Sequence, residues 1–313
     1  MDVVVFGAGS LGSLVGGLLS RYPAHDVTLV GRDPHVAAVR ADGLRVVGEI
    51  ETTVTPAATT DGTGLDADVA VVTVKAHDTA AAAAALSTGD VDRVVSLQNG
   101  LTEERLRDRL DGPTVLAGTS TYGAVLESPG TVACTGVGRL AVGAVEGGPS
   151  RAADRVGAAL RAADVDCVVA EDMPRRRWRK LAVNAGINAV TALARVDNGA
   201  LVDGDAPAGR IGRRAAAETA RVARAEGVDL AAEDAEAAVG DVAADTAANS
   251  SSMRQDVAAG RRTEIEAIAG EVVARGRARG VATPTVETLL EVVRAWERGA
   301  GVRGSEAAGD GER

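Results

Sequence analysis

Residues 7–12 form a glycine-rich run, Gly7-Ala8-Gly9-Ser10-Leu11-Gly12, with the spacing G-x-G-x-x-G between a strand-like and a helix-like stretch. In this context the first glycine makes a tight turn, the second lets a phosphate approach the backbone, and the third allows close packing of helix on strand. N–H groups at the helix N-terminus would hold the phosphates. The run therefore predicts a dinucleotide site at Gly7, Ala8, Gly9, Ser10, Leu11 and Gly12.

The end of the second predicted strand bears on which dinucleotide binds. The chain continues Val30-Gly31-Arg32-Asp33. An arginine here suits a 2′-phosphate, whereas a carboxylate suits a free ribose 2′-hydroxyl. Arg32 therefore favours NADPH, and NADH is the less favoured cofactor. Two alternatives remain for Asp33: a cap for the helix that starts near Pro34, which we favour, or an acceptor for the ribose of NAD.

A second set of polar residues lies further along the chain. Lys180 and Asn184 are four residues apart, so on a helix they share one face. Apolar residues follow Asn184, and a buried amide needs hydrogen-bond partners. The tripeptide around Asn198 predicts a turn, and residues 249–253 predict a polar loop.

Thr263-Glu264-Ile265-Glu266 has the form of a capping box, which would make Glu264 the first residue of a helix. The spacing alone leaves two alternatives for the Glu264 carboxylate. It either stabilises the first helical turn or takes part in a functional site.

Short Val-rich runs alternate with Ala-rich amphipathic stretches in the first half of the chain. The runs predicted as strands are Val3–Phe6, Val27–Val30, Val69–Val74 and Arg93–Leu97. The stretches predicted as helices are Leu11–Ser20, Pro34–Ala41, Thr79–Leu86 and Glu103–Leu110. This alternation is typical of an α/β fold with an N-terminal Rossmann-type doubly wound sheet. Residues 114–143 and 165–170 predict further strands.

From residue 172 onward the patterning is helical, which predicts a C-terminal all-α domain. The helices are expected at Arg175–Leu193, Ala208–Glu226, Ala231–Ala247, Glu264–Arg279 and Val286–Arg298. We predict a nucleotide-binding domain over 1–171, a helical substrate domain over 172–299 and a disordered tail over 300–313.

Composition excludes several classes of protein. A net charge of −10 and a pI near 5.0 argue against nucleic acid as a partner. No apolar run is long enough for a membrane span, and no signal peptide is evident. Cys134 and Cys167 are too few for a disulfide scaffold or a zinc site, and the three histidines lack metal-ligand spacing, so we expect a cytoplasmic protein without a metal.

The basic residues are strongly biased towards arginine, because Lys75 and Lys180 are the only lysines. A GC-rich genome or a saline cytoplasm would produce this bias without any functional cause. Neither accounts for the places where the two lysines are kept. Arginine could not replace a lysine that must release a proton.

Several motifs occur in the order found in one family. They are WRKLAVNAGINAVTAL from Trp178, NSSSM followed by RRTEIEAIAG, Val74-Lys75-Ala76, and the segment Ser96–Leu101. Together they resemble the ketopantoate reductase (2-dehydropantoate 2-reductase) family from Gly7 to about Glu297. The resemblance implies reduction of ketopantoate to (R)-pantoate with NADPH, a step towards pantothenate and coenzyme A.

The resemblance also implies roles for individual residues. Lys180 would be the general acid, and Arg32 would bind the 2′-phosphate. Asn99 would lie beside the nicotinamide and substrate, and Lys75 beside cofactor and substrate in a cleft between the domains. Gln98 occupies a position where family members vary.

The residues that would hold the substrate, besides Asn99, are Asn184, Asn198, Ser252 and Glu264, the last through the substrate hydroxyl. The chemistry agrees, because ketone reduction needs a proton on oxygen that a lysine ammonium can donate. A reductase of another 2-keto acid is the first alternative. A non-catalytic dinucleotide sensor is the second. The oligomeric state stays open, with a homodimer as one option.

Overall fold

The computed structural model describes residues 1–303 and divides the chain into two compact units, Met1–Arg177 and a second that begins at Trp178. The first unit holds twelve strands: β1 Asp2–Phe6, β2 Asp26–Val30, β3 Leu44–Gly48, β4 Thr52–Val54, β5 Ala57–Thr59, β6 Val69–Val72, β7 Arg93–Ser96, β8 Thr114–Ser120, β9 Gly123–Ser128, β10 Thr131–Gly136, β11 Leu140–Ala144 and β12 Cys167–Val169. Its helices are α1 Ser10–Leu19, α2 His35–Asp42, α3 Thr79–Leu86, α4 Glu103–Arg107 and α5 Arg151–Ala162.

An eight-stranded sheet in the order β12-β11-β8-β7-β6-β1-β2-β5 forms the centre of the first unit. All neighbours are parallel except β11 and β8. Val3 and Val5 pack into the core on one face, and Val4 packs into the core on the other. The α/β prediction is therefore confirmed, because near-continuous apolar strands do lie in a sheet covered on both faces.

Three strands and one helix of the first unit were missed in the sequence. One of the strands is β5, at the edge of the large sheet. A second sheet, β4-β3-β10-β9, includes strands at 44–54 that we had not predicted. Helix α5 was also missed, although Ser150 caps it by accepting from the Ala153 N–H at 3.2 Å. Its apolar residues Val156 and Leu160 stand four apart, which is the signal that could have revealed it.

Helices make up the regular structure of the second unit among the described residues. Helix α6, Met173–Ala194, crosses the boundary between the units, and the others are α7 Pro207–Ala225, α8 Ala232–Asp245, α9 Ser252–Ala258, α10 Glu271–Arg279 and α11 Pro284–Gly299. Shorter helical turns occupy Ala76–Asp78 in the first unit and Asn198–Leu201 in the second, and Glu266–Gly270 is π-helical. The predicted polar loop at 249–253 is wrong at its end, because α9 starts at Ser252.

The predicted capping box at Thr263 is only half right. The Ile265 N–H does donate to Thr263 Oγ1, at 3.2 Å. The Thr263 N–H and hydroxyl, however, donate to Glu297 Oε1 of α11 at 2.8 and 2.7 Å. Glu266, the expected partner, pairs with Arg294 instead. The helix therefore begins at Ile265, one residue after Glu264.

The chain is ordered further than predicted at its C-terminal end. Arg303 forms ion pairs with Glu266 at 2.6 Å and with Glu297 at 3.5 Å. The rest of the predicted tail, 304–313, lies outside the described residues, and the predicted domain limits stay predictions. Between residues 1 and 303, no helix has the length and apolar character to cross a membrane.

A buried histidine joins three elements of the first unit. His35, 5% exposed, accepts from the Gly130 N–H through Nδ1 at 3.0 Å. Nδ1 must then be unprotonated, so Nε2 carries the hydrogen and donates to Ser13 Oγ at 2.9 Å. Burial lowers the pKa of His35 below its usual 6.5. The folded protein therefore favours the neutral form of the His35 side chain.

This lowered pKa predicts acid destabilisation. As pH falls through 6.5, the unfolded chain takes up a proton at His35 before the folded one does, so the free energy of unfolding falls by at most about 1.4 kcal/mol per pH unit. Above pH 6.5 the contribution is complete. Urea unfolding from pH 8 to pH 5 should show a shallower pH dependence in His35→Gln than in wild type. Parallel profiles would contradict the assignment.

Candidate active site

The glycine run forms the turn between β1 and α1. The Gly7 and Ala8 N–H groups both donate to the Val30 carbonyl, at 2.9 and 2.8 Å, which ties the turn to the end of β2. Gly7 has φ +116°, a conformation that glycine adopts readily. A Cβ at Gly9 would meet no atom within 4 Å, so a ligand can approach this backbone.

The third glycine is required by packing. A Cβ on Gly12 would lie 2.1 Å from the Gly7 carbonyl oxygen and 2.5 Å from Thr73 Oγ1. Thr73, which follows β6, donates its hydroxyl to the same Gly7 oxygen at 2.8 Å. Thr73 was not predicted as a site residue from the sequence. Its only local signal is a hydroxyl residue directly after a buried apolar strand.

Arg32 and Asp33 follow the end of β2. Asp33 Oδ1 accepts from the Ala37 N–H at 3.0 Å, which is the capping role that we favoured. The Arg32 side chain is 86% exposed, and its Nη2 lies 2.9 Å from Asp78 Oδ2. The guanidinium therefore lies in contact with solvent, beside Asp78, at the carboxyl edge of the sheet.

Lys75 and Asn99 follow two neighbouring strands, β6 and β7, and both are half-buried. Gln98 links the two segments: its Nε2 donates to the Val74 carbonyl at 3.0 Å and to Thr79 Oγ1 at 2.8 Å. Because Gln98 is buried, its amide holds the segment after β7 against the segment after β6. Gln98, for which the sequence indicated no role, thus has a structural role.

Helix α6 carries Lys180 and Asn184 on one face, as predicted, and both are half-buried. The helix is anchored in the first unit by Arg177, one turn before Lys180. Arg177 Nη2 donates to Glu103 Oε2 at 2.5 Å, and the two side chains are only 9% and 3% exposed. Burial raises the pKa of Glu103, although the Arg177 charge opposes the rise.

Asn198 lies in the turn Asn198–Leu201, as predicted, and is 7% exposed. Its Nδ2 donates to Thr246 Oγ1 at 2.9 Å, and its N–H donates to the Asn249 carbonyl at 3.0 Å. Asn198 Oδ1 is buried and accepts no hydrogen bond from the described residues. An unpaired buried acceptor is costly unless a donor from a ligand or a water molecule satisfies it.

Ser252 and Glu264 differ in their burial. Ser252 is exposed at the start of α9, whereas Ser251 beside it is buried and hydrogen-bonded to Thr191 of α6 at 2.7 Å. Glu264 is 7% exposed and directly follows Thr263, which Glu297 holds. Glu297 was missed because its partner lies 34 residues away in the sequence.

The predicted site residues thus fall into one set in each unit. The first unit brings the glycine run, Arg32, Lys75 and Asn99 to the carboxyl edge of the sheet. The second unit holds Lys180, Asn184, Asn198, Ser252 and Glu264. Within 1–303 no cluster of His, Cys, Asp and Glu has the geometry for a metal ion. Cys134 and Cys167 lie buried in β10 and β12.

Comparisons with known proteins identify the family of this chain. Residues 3–147 match the family model described as ketopantoate reductase PanE/ApbA, and residues 172–297 match the model of its C-terminal part. The chain belongs to the ketopantoate reductase family. A protein of this family from Halobacterium salinarum, named 2-dehydropantoate 2-reductase, is 45% identical over 95% of this chain and 99% of its own length.

Other family members extend the likeness. The 2-dehydropantoate 2-reductase of Archaeoglobus fulgidus is 38% identical over 95% of this chain and 98% of that protein. Among solved structures, the PanE/ApbA family ketopantoate reductase of Ralstonia eutropha has a TM-score of 0.87 and 33% identity, covering 96% of this chain and all of that one. D-mandelate dehydrogenase with NADH has a TM-score of 0.85 at 24% identity, which shows a shared fold.

A nicotinamide dinucleotide fits the residues of this ketopantoate reductase family member. The open Cβ direction at Gly9 and the close contact at Gly12 are what a pyrophosphate-binding turn requires. The glycine run would hold the pyrophosphate at the start of α1. Arg32 would face the ribose that bears the adenine.

Proposed function

We propose that this protein reduces 2-dehydropantoate to (R)-pantoate with NADPH, a step in pantothenate and coenzyme A biosynthesis. The observation that carries the proposal is the 45% identity, over nearly the full length of both chains, to a protein named 2-dehydropantoate 2-reductase. We also propose that the protein is cytoplasmic and forms a homodimer. The two free cysteines support the cytoplasmic location.

The reaction divides between cofactor and protein. The nicotinamide supplies a hydride to the carbonyl carbon when it is bound. Lys180 stabilises the negative charge that develops on the carbonyl oxygen and donates the proton that completes the alcohol. Arg179, its neighbour on α6, is exposed and has no part in this step.

The other predicted residues orient the ketoacid. Neutral amide and hydroxyl groups from Asn99, Asn184 and Ser252 bind its carboxylate end, so that no second fixed cation competes with Lys180. Glu264 and Asn198 Oδ1 share the single hydrogen of its hydroxyl in a three-centre hydrogen bond. An analogue without that hydroxyl would leave the buried Asn198 Oδ1 without a donor.

Steady-state oxidation of NADPH with a panel of 2-keto acids at equal concentration tests the substrate. The highest kcat/KM is expected for 2-dehydropantoate, with a clear loss for the analogue that lacks its hydroxyl. A higher value for another 2-keto acid would instead make this chain a reductase of that acid. Absence of turnover with every member, while cofactor still binds, would favour the sensor alternative.

Arg32→Ala tests the cofactor preference. Removing a charge-assisted contact to a 2′-phosphate should raise KM for NADPH by about tenfold or more and leave KM for NADH nearly unchanged. The measurement is kcat/KM with each cofactor at saturating ketoacid. An equal loss with both cofactors would contradict a role for Arg32 at the 2′-phosphate.

A further inference from the structure

Asp78 meets Arg32 across the end of the glycine turn. The two residues are 46 positions apart, and Arg32 Nη2 lies 2.9 Å from Asp78 Oδ2. The Arg32 side chain is 86% exposed and that of Asp78 is 32% exposed. The ion pair is thus accessible to a ligand from solvent.

The sheet order explains why this contact forms where it does. Strand β1, which leads into the glycine run, lies between β6 and β2. Arg32 follows the end of β2, and Asp78 closes the short helical turn that follows β6. The pair therefore lies beside the turn that would hold the pyrophosphate, at the position that we propose for the adenine-bearing ribose.

This placement gives the Arg32 guanidinium two competing anionic partners, the Asp78 carboxylate and the 2′-phosphate of the proposed cofactor. We propose that Asp78 is a specificity-determining residue: its carboxylate competes with a 2′-phosphate for the Arg32 guanidinium and lowers the preference for the phosphorylated dinucleotide. The inference rests on the proposed cofactor site. A ribose 2′-hydroxyl carries no charge, so it neither needs to displace Asp78 nor is repelled by it.

The expected effect is moderate, because an exposed ion pair contributes little. Breaking such a pair changes an equilibrium constant by about two- to fivefold. A phosphate must also approach the Asp78 charge, and this repulsion acts in the same direction. Asp78 precedes the first residue of α3, a position that asparagine fills as well as aspartate does. Asp78→Asn should therefore fold normally.

Calorimetric titration of the full-length protein with 2′,5′-ADP and with 5′-AMP tests the proposal without any turnover. All titrations are done at one pH and one ionic strength, because His77 Nε2 lies 4.0 Å from Asp78 Oδ2. Asp78→Asn should bind 2′,5′-ADP about two- to fivefold more tightly than wild type. Its affinity for 5′-AMP should stay equal or fall.

Two further variants separate competition from a general charge effect. In an Arg32→Ala background, Asp78→Asn should change the 2′,5′-ADP affinity by less than about twofold, since only repulsion between solvated charges is left. Asp166→Asn is the matched control. It removes the same charge from another exposed pair, Arg139–Asp166 at 2.8 Å, on the far edge of the sheet.

The proposal would be overturned by an unchanged affinity ratio in Asp78→Asn, by an equal gain for both nucleotides, or by the same shift in Asp166→Asn. Failure of 2′,5′-ADP to bind any variant would overturn it as well. If the ratio shifts as expected while 2-dehydropantoate is not reduced, the proposed reaction is wrong and the role of Asp78 stands.

Discussion

Lys180→Ala is expected to lower kcat for ketoacid reduction by about 10²–10⁴-fold, the range that a general acid contributes. The loss should appear in kcat and kcat/KM, because the proton is donated in the transition state. The dissociation constant of NADPH, measured by fluorescence titration, should change little. Lys180→Arg should also be slow, because a guanidinium keeps the charge and does not release the proton.

The neighbouring residue provides the matched control for this experiment. Arg179→Ala removes a positive charge from the same helix, one position away, at an exposed site. It should retain nearly full activity. Added methylamine should partly restore kcat in Lys180→Ala, since a free amine can supply the missing proton. Full activity in Lys180→Ala, or an equal loss in Arg179→Ala, would contradict the assignment.

Glu103→Ala is expected to lower the free energy of unfolding by about 3–5 kcal/mol, because it leaves the buried Arg177 guanidinium without its partner. Arg177 Nε already has no hydrogen-bond partner among the described residues, so few other contacts could compensate for the lost carboxylate. Urea unfolding at pH 7.5, followed by circular dichroism, measures the loss. The double variant Glu103→Leu with Arg177→Met should recover most of it, because no charge then remains buried.

An exposed ion pair at the start of the same helix provides a reference for this result. Arg176 pairs with Asp172 at 2.6 Å, with both side chains about half exposed. Asp172→Asn should therefore cost less than about 1 kcal/mol. A similar small cost for Glu103→Ala would show that the buried pair contributes no more than a surface pair.

The pH dependence of Glu103 has a definite sign. Because its pKa is raised in the folded protein, the folded state binds a proton that the unfolded state has already lost. The free energy of unfolding therefore falls as pH rises through the ordinary carboxyl range. Glu103→Gln should remove this part of the pH profile.

Local sequence patterns predicted most of the fold. The βα alternation and the glycine run identified the parallel sheet and its nucleotide turn, because each depends on residues within a few positions of one another. The same holds for the shared face of Lys180 and Asn184. Helix α5 also had a local pattern and was overlooked. Strands β3, β4 and β5 were missed because such short strands are specified mainly by their sheet partners.

The sequence by itself determined which residue types could bind a dinucleotide and donate a proton, including the only two lysines. The tertiary structure decided which side chains meet. Asp78 contacts Arg32 because the strands that precede them, β6 and β2, lie on either side of β1 in the sheet. Glu297, rather than Glu266, accepts from Thr263 because α11 packs beside it. Such contacts join residues 34 to 46 positions apart. Only the packing of strands and helices brings them together, so no local spacing could predict them.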